Sequence, residues 1–439
     1  MPCTAWMKVS VQGISDGHKI KYMHLRICPM AYIIVKESML DDGVVVWKEE
    51  GAGRIIVQSR KERMVYKEFQ DFKISALGMG AMRLPVVDGN DGIIDEEKAV
   101  EMVDYAMENG INYYDTAWGY HNGNSELVMG RALGRHPRES FYLATKFPGY
   151  DLSNMDKVEE IFEKQLEKCG VEYFDFYLFH NVCEMNIDAY LDSRYGIFDY
   201  LMKQKKNGRI RHLGFSAHGS REIMKRFLEA YGEHMEFCQI QLNWLDWSFQ
   251  DAKGKTELLK EYHIPVWVME PLRGGRLASL SKEDEETLKK LRPSEKTPAW
   301  AFRFLQTIPE VTVVLSGMSN FEQLKENINT YGTEEPLSQT EMDVLEHMVE
   351  RMLEKKTLPC TGCHYCVSHC PKGLDIPSHL ELYNEHCFTG GGFIAPMALM
   401  ALPKEKLPGA CIGCRSCEAV CPQGIKISEA MADFAKQLG

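Results

Sequence analysis

The sequence predicts an α/β fold, a (β/α)8 barrel followed by a smaller cysteine-rich module, and three observations carry that expectation. Between residue 76 and about 330, eight apolar strand-like runs alternate with amphipathic helix-like segments. Eight of the fourteen cysteines then crowd into two runs near the C-terminus. The chain, at 439 residues, is long enough for both parts, since one such barrel takes roughly 250 residues.

Composition narrows the classes. A charged fraction of 26% and a hydrophobic fraction of 44% are ordinary for a globular protein, and a net charge of -12 argues against a general nucleic-acid binder. No stretch approaches the ~18 consecutive apolar residues of a membrane span, and the N-terminus lacks the succession of a secretory signal. A cytoplasmic location is therefore expected. Disulfide scaffolds are short and secreted, so clustered cysteines in a chain of this size point to metal binding in a reducing compartment.

Taken in order, residues 1–63 carry short β-like runs, IIV at 33–35 and VVVW at 44–47, among charges and without a turn plan. They are read as an N-terminal extension of unassigned role, an appended leader before the hairpin-like VYKEFQDFKIS that follows Met64. A barrel is expected over 64–335. Its strands are ALGMGAM (76–82), INYYDTA (111–117), FYLATKF (141–147), FDFYLFH (174–180), IRHLGFS (210–216), FCQIQL (237–242), IPVWVM (264–269) and VTVVLS (311–316). Eight βα units suit a closed TIM barrel better than a doubly wound sheet. Between strands one and two, DEEKAVEMVDYAMENG has the acidic first turn and terminal glycine of a helix. A linker helix over 336–355 then leads to the second module, 356–439.

Barrel enzymes keep their chemistry at the C-terminal strand ends. There the sequence places Asp115 and Tyr120 after strand two, Lys146 ending strand three and His180 ending strand four. Singly, a strand-end Asp caps a turn, a Lys is solvated and a His packs in the core. Jointly, on three successive strand ends, they suit carbonyl reduction, which needs a proton donor within reach of the carbonyl oxygen. Tyr120 is the candidate acid. Lys146 is expected to lower its pKa, Asp115 to hold the ammonium, and His180 to orient the substrate oxygen.

These residues, with the DTAxxY spacing, the GFS of strand five, Gln239 in CQIQLN and SGMSNFEQLKEN after strand eight, resemble the aldo/keto reductase family over about residues 66–332. The GMG at 78–80 lacks a third glycine and is read as the first barrel strand instead of a dinucleotide fingerprint. The resemblance implies an NADPH or NADH cofactor across the barrel mouth, with Ser216 and Gln239 near the carboxamide. Met269 stands where many relatives stack an aromatic ring. The PLRGGR loop offers backbone N–H groups and Arg273 or Arg276 to the pyrophosphate. Ser316, Gly317 and Ser319 lead into a helix bearing Gln323 and Asn327. Gln323 replaces the arginine that some NADPH-dependent relatives carry, which leaves both nucleotides open.

The runs CTGCHYCVSHCP and CIGCRSCEAVCP both follow CxxCxxCxxxCP, the ligand run of two-cluster bacterial ferredoxins, whose fourth cysteine serves the other cluster. Two 4Fe-4S clusters are expected, one held by Cys360, Cys363, Cys366 and Cys421, the other by Cys411, Cys414, Cys417 and Cys370. Zinc is the alternative, with paired thiolates on tetrahedral ions. Helix-like IPSHLELYNEHCF between the runs makes this a small α-helical ferredoxin-like iron-sulfur domain, and Cys387 within it reads as an ordinary thiol.

Two classes of function follow. One is an oxidoreductase acting on a small-molecule carbonyl substrate; the other is a non-catalytic nicotinamide sensor or electron-transfer protein on the same fold. Trp118, Trp244 and Trp247 are candidates to line the mouth. Hydride moves electrons in pairs and clusters move them singly, and no flavin motif is recognisable. Either a flavoprotein or ferredoxin partner or clusters with a structural or sensory role is therefore expected, and a partner docking on the C-terminal module is preferred.

Overall fold

The computed structural model describes residues 64–354, 357, 358, 360, 366–421 and 423–439, and within 1–63 the course of five strands. Cys363 lies outside the described residues. The chain forms two units, Met1–Arg63 and Met64–Gly439. In the first, Met7–Val9, Met23–Ile27 and Ile33–Val35 pair antiparallel in one sheet, and Val44–Lys48 pairs with Ile55–Ser59 in another.

The second unit starts with an antiparallel hairpin, Tyr66–Phe69 against Phe72–Ser75. Eight parallel strands follow: β1 (Leu77–Gly80), β2 (Tyr113–Asp115), β3 (Tyr142–Phe147), β4 (Phe174–Val182), β5 (Ile210–Ala217), β6 (Cys238–Gln241), β7 (Val266–Met269) and β8 (Val311–Ser316). Each pairs with the next, and β8 pairs with β1, which closes the barrel.

Alternation along each strand separates two cores. On β4, Phe176 and Leu178 point into the barrel, while Tyr177 and Phe179 pack outward under the helices. The interior is filled by Phe176, Leu178, Tyr113, Ala144, Phe237, Trp267, Val313 and Leu315, with hairpin residues Phe69 and Ile74 closing its floor. Gly214 makes room for this filling, because a Cβ there would lie 2.5 Å from the Phe237 ring and carbonyl. The same parity carries the chemistry inward. Asp115 follows inward Tyr113 by two residues, Lys146 follows Ala144, His180 follows Leu178, Gln239 follows Phe237 and Met269 follows Trp267.

The helix expected after β1 spans Glu96–Glu108, with Asp95 accepting from the Lys98 N–H as its cap. The expected linker helix is Gln339–Glu354, and it does not stand free of the barrel. Leu345, Met348 and Val349 are buried in the outer barrel core, because its apolar stripe needs a partner. The cysteine-rich module packs helices Ile376–Thr389, Ile394–Met400 and Ile427–Gln437 around two small cores. Phe388 of its first helix is itself part of the outer barrel core. Among the described residues, no helix is long and apolar enough to cross a membrane.

Candidate active site

The strand ends bring the four expected residues together. Lys146 Nζ donates to Asp115 Oδ1 at 2.6 Å and to the Thr116 carbonyl at 2.8 Å, and it approaches the Tyr120 hydroxyl at 3.4 Å. The Tyr120 and His180 rings meet edge to face at 6.2 Å, and the His180 carbonyl accepts from the Tyr190 hydroxyl at 2.8 Å. Tyr120 opens a tight turn in which His121 and Asn122 take left-handed φ of 52° and 55°.

Electrostatics separate the roles. Burial is the largest single effect on the Lys146 ammonium and disfavours it, but the attraction of Asp115, that of Tyr120 and hydrogen bonds to both together outweigh it, so its pKa stands above the ordinary lysine value. Burial likewise raises the Asp115 carboxyl against the lowering effect of Lys146. His180 is pushed well below the ordinary value by burial, then by the charges of Lys146 and His218, which makes it a neutral imidazole at pH 7. Its Nδ1 is buried with no hydrogen-bond partner among the described residues. The sequence led us to expect a lowered Tyr120 pKa. The net direction is upward, because burial is the largest effect and Lys146 only partly offsets it. At neutral pH the group is thus a protonated phenol, the donor form.

Beside this tetrad lies a cleft of about 360 Å³ lined by Asp115, Tyr120, Gln239, Met269, Ser316, Gly317, Ser319, Gln323 and Asn327, all named by the sequence reading. Gln239 Oε1 is buried there without a partner among the described residues, an acceptor that an amide N–H of a carboxamide would satisfy. Asn320 caps the helix Phe321–Thr330, the Ser319 N–H donates to Gln323 Oε1 at 2.8 Å, and Asn327 Nδ2 donates to Ser316 Oγ at 3.0 Å. The Ser216 hydroxyl accepts from the Asn181 N–H at 2.8 Å.

Four of the expected side chains lie elsewhere. Arg273 and Arg276 do not line the cleft, although Glu270, Pro271, Leu272, Gly274 and Gly275 of their loop do. Arg273 is buried against Asp246 and Glu385, and Arg276 donates to the Phe388 and Thr389 carbonyls. Trp244 is buried in the outer barrel core, and Trp247 packs on Phe304 at 5.9 Å. Sequence reasoning missed Arg83 and Glu270, which also line the cleft. It also missed Gln165, which donates to the Lys146 carbonyl at 3.0 Å and to Glu126 at 2.7 Å behind the tetrad. Buried polar residues on otherwise apolar helix faces were the available signal for Glu126 and Gln165.

In the C-terminal module, Cys370 from the first run and Cys411, Cys414 and Cys417 from the second line one small cavity with Leu374, Ile376, Ile427 and Met431. Cys366 and Cys417 are buried in the core beside it, with Cys360, Cys370, Cys411 and Cys421 packed against that core. Thiolates around an apolar pocket are the donor set that iron-sulfur clusters use.

Comparison with known proteins agrees with this geometry. Residues 76–350 match the Aldo/keto reductase family, and residues 359–426 match a 4Fe-4S dicluster domain. An NADH-specific methylglyoxal reductase of Escherichia coli is 24% identical over 325 residues, spanning 64% of this chain and 97% of that protein. An uncharacterized oxidoreductase of Bacillus subtilis is 27% identical over 291 residues, 59% of this chain and 87% of its own. In fold, an aldo-keto reductase from Bacillus halodurans superposes with a TM-score of 0.54 at 24% identity, covering 65% of this chain and 96% of its own.

Proposed function

Because the chain belongs to the aldo/keto reductase family, and is an NAD(P)H-dependent oxidoreductase with a 4Fe-4S domain, we propose that it transfers hydride between NAD(P)H and a small carbonyl compound at the Asp115, Tyr120, Lys146 and His180 site. The observation that carries this reading is the buried tetrad, with Lys146 Nζ 2.6 Å from Asp115 and 3.4 Å from the Tyr120 hydroxyl. A sensor that no longer reacts has no need to hold an ammonium in a buried site beside a phenol.

NAD(P)H, when bound, supplies the hydride. Gln239 takes the carboxamide through its unpartnered oxygen, and Ser316, Ser319, Gln323 and Asn327 line the remainder of the cleft. Tyr120 gives its phenolic proton to the carbonyl oxygen. Lys146, held charged by Asp115 and the Thr116 carbonyl, stabilises the phenolate left behind. Neutral His180 offers a ring N–H to orient the substrate oxygen without competing as the acid.

In the same reading the module holds two clusters, with Cys370 and Cys421 each serving the set of the other run; the shared cavity of Cys370 with Cys411, Cys414 and Cys417 supports this. Clusters supply one-electron chemistry, and a flavoprotein or ferredoxin partner would connect it to the two-electron site.

The test is steady-state oxidation of NADH and of NADPH by the full chain with a panel of small aldehydes, ketones and dicarbonyls. Methylglyoxal belongs in that panel because the Escherichia coli relative is named for reducing it. Saturable turnover with one nucleotide preferred is expected. Tight nucleotide binding with no turnover across the panel in either direction would favour the sensor instead.

A further inference from the structure

The loop after β7 forms one wall of the cleft with Glu270, Pro271, Leu272, Gly274 and Gly275. It does so in a demanding conformation: Glu270 and Arg273 hold φ of 56° and 48°, followed by Gly274 at 64° and Gly275 at 91°. Side-chain-bearing residues avoid this region because Cβ crowds the following carbonyl, and they persist there only where surroundings over-determine them.

Two sets of contacts do so. From the barrel, Asn243 Nδ2 donates to the Glu270 carbonyl at 3.0 Å, and Asp246 accepts from Arg273 Nε at 2.9 and 3.0 Å. From the cysteine-rich module, Glu385 Oε2 accepts from Arg273 Nη2 at 2.6 Å and from Gln250 Nε2 at 2.5 Å. Arg276 adds bonds to the carbonyls of Phe388 at 2.7 Å and Thr389 at 2.6 Å, the end of the helix that carries Glu385. The guanidinium of Arg273 also lies 5.2 Å from the Phe388 ring centre. Side-chain exposure is 5% for Arg273, 0% for Asp246 and 2% for Glu385, so the clamp is shielded from solvent and from salt screening.

We propose that Glu385, contributed by the iron-sulfur module, is a positioning residue for nicotinamide dinucleotide: by fixing Arg273 it sets the loop that forms one wall of the cleft. This rests on the reading that the dinucleotide lies in that cleft. Its consequence is that the reductase site is complete only with the module docked. The two arginines expected to grip the cofactor act on its site from behind, through the loop.

The experiment uses the full chain with its clusters. NADH and NADPH are titrated without carbonyl, by quenching of tryptophan fluorescence, in the parent, Glu385→Gln and Arg276→Met. Glu385→Gln keeps the size of the side chain and removes the charge. About a tenfold rise in nucleotide Kd is expected there, and a smaller rise in Arg276→Met. Iron content, cluster absorbance and the KM for the carbonyl at saturating nucleotide should match the parent. A role confined to holding the module in place would lower the unfolding midpoint and leave the nucleotide Kd where it was, and that result overturns the proposal. Should Glu385→Gln fail to fold, Arg276→Met decides by the same criterion. A parent that binds neither nucleotide would overturn the cleft reading and this inference together; a parent that binds, with variants of unchanged Kd, removes the clamp alone.

Discussion

Replacing Tyr120 by phenylalanine separates chemistry from everything else at this site. Among the described residues, the hydroxyl meets one hydrogen-bond partner, Lys146 Nζ at the long distance of 3.4 Å, so removing it costs the fold about 0.5 kcal/mol. Lys146 keeps Asp115 and the Thr116 carbonyl, and the phenyl ring keeps its edge contact with His180. The nucleotide cleft keeps Gln239 and its other lining residues. What disappears is the proton donor, and a positioned general acid is worth about 10² to 10⁴ in rate, or about 3 to 5 kcal/mol of barrier. His180 is a poor substitute, because burial holds it neutral and deprives it of an imidazolium proton. Single-turnover oxidation of bound NAD(P)H by a reactive aldehyde, run beside a fluorescence titration of the nucleotide, measures the two effects separately. The variant should lose at least about a hundredfold in rate with its nucleotide Kd near the parent's. A rate within threefold of the parent's would show that Tyr120 is not the acid.

Lys146→Met should depress turnover and cost about 3 to 5 kcal/mol of stability, because it strands the buried Asp115 carboxylate, whose Oδ2 already lacks a partner; urea unfolding of parent and variant compares them. Anaerobically purified protein should contain about eight iron and eight acid-labile sulfide per chain. Cys370 and Cys421 replaced singly should each perturb the cluster bound mainly by the other run, read by electron paramagnetic resonance, and zinc as the dominant metal would reject the assignment. His218 is pushed down to about 4 from 6.5, chiefly by burial and then by the charge of Lys255, while the Phe393 ring packs against it. The unfolded chain therefore gains a proton that the folded one refuses, so this contribution is present above pH 6.5 and is lost as pH falls towards 4. The melting temperature of His218→Gln should decline less steeply than the parent's between pH 6.5 and 5.

The barrel was legible because all eight strands are short apolar runs between helices of clear period, and their edges fell within a few residues of the observed ones. The gathering of Asp115, Lys146 and His180 was legible for a related reason: polar residues ending successive apolar strands at the same inward parity are carried to one barrel mouth. Contacts made by long side chains were not. Arg273 sits in a glycine-rich loop of the kind that grips phosphates, and nothing local reveals that Glu385, 112 residues later, claims its guanidinium. Arg83 was passed over because the segment after β1 carries no recognisable phosphate motif. The direction of the Tyr120 shift needed burial as well as charge, and sequence supplies only the charge. The strand runs at Ile33–Val35 and Val44–Lys48 were visible as apolar β-branched stretches, but they brought no functional signal with them.

The central claim is hydride transfer from nicotinamide to a carbonyl carbon at this barrel mouth. Nucleotide deuterated at the reactive nicotinamide carbon, incubated with the full chain and an aldehyde that it turns over, tests that claim in one mass spectrum of the product alcohol. One deuterium per product, delivered from one face of the nicotinamide only, is the predicted result. Alcohol formed without label, or nucleotide consumed with its electrons recovered in the clusters and none in the carbonyl, would contradict it.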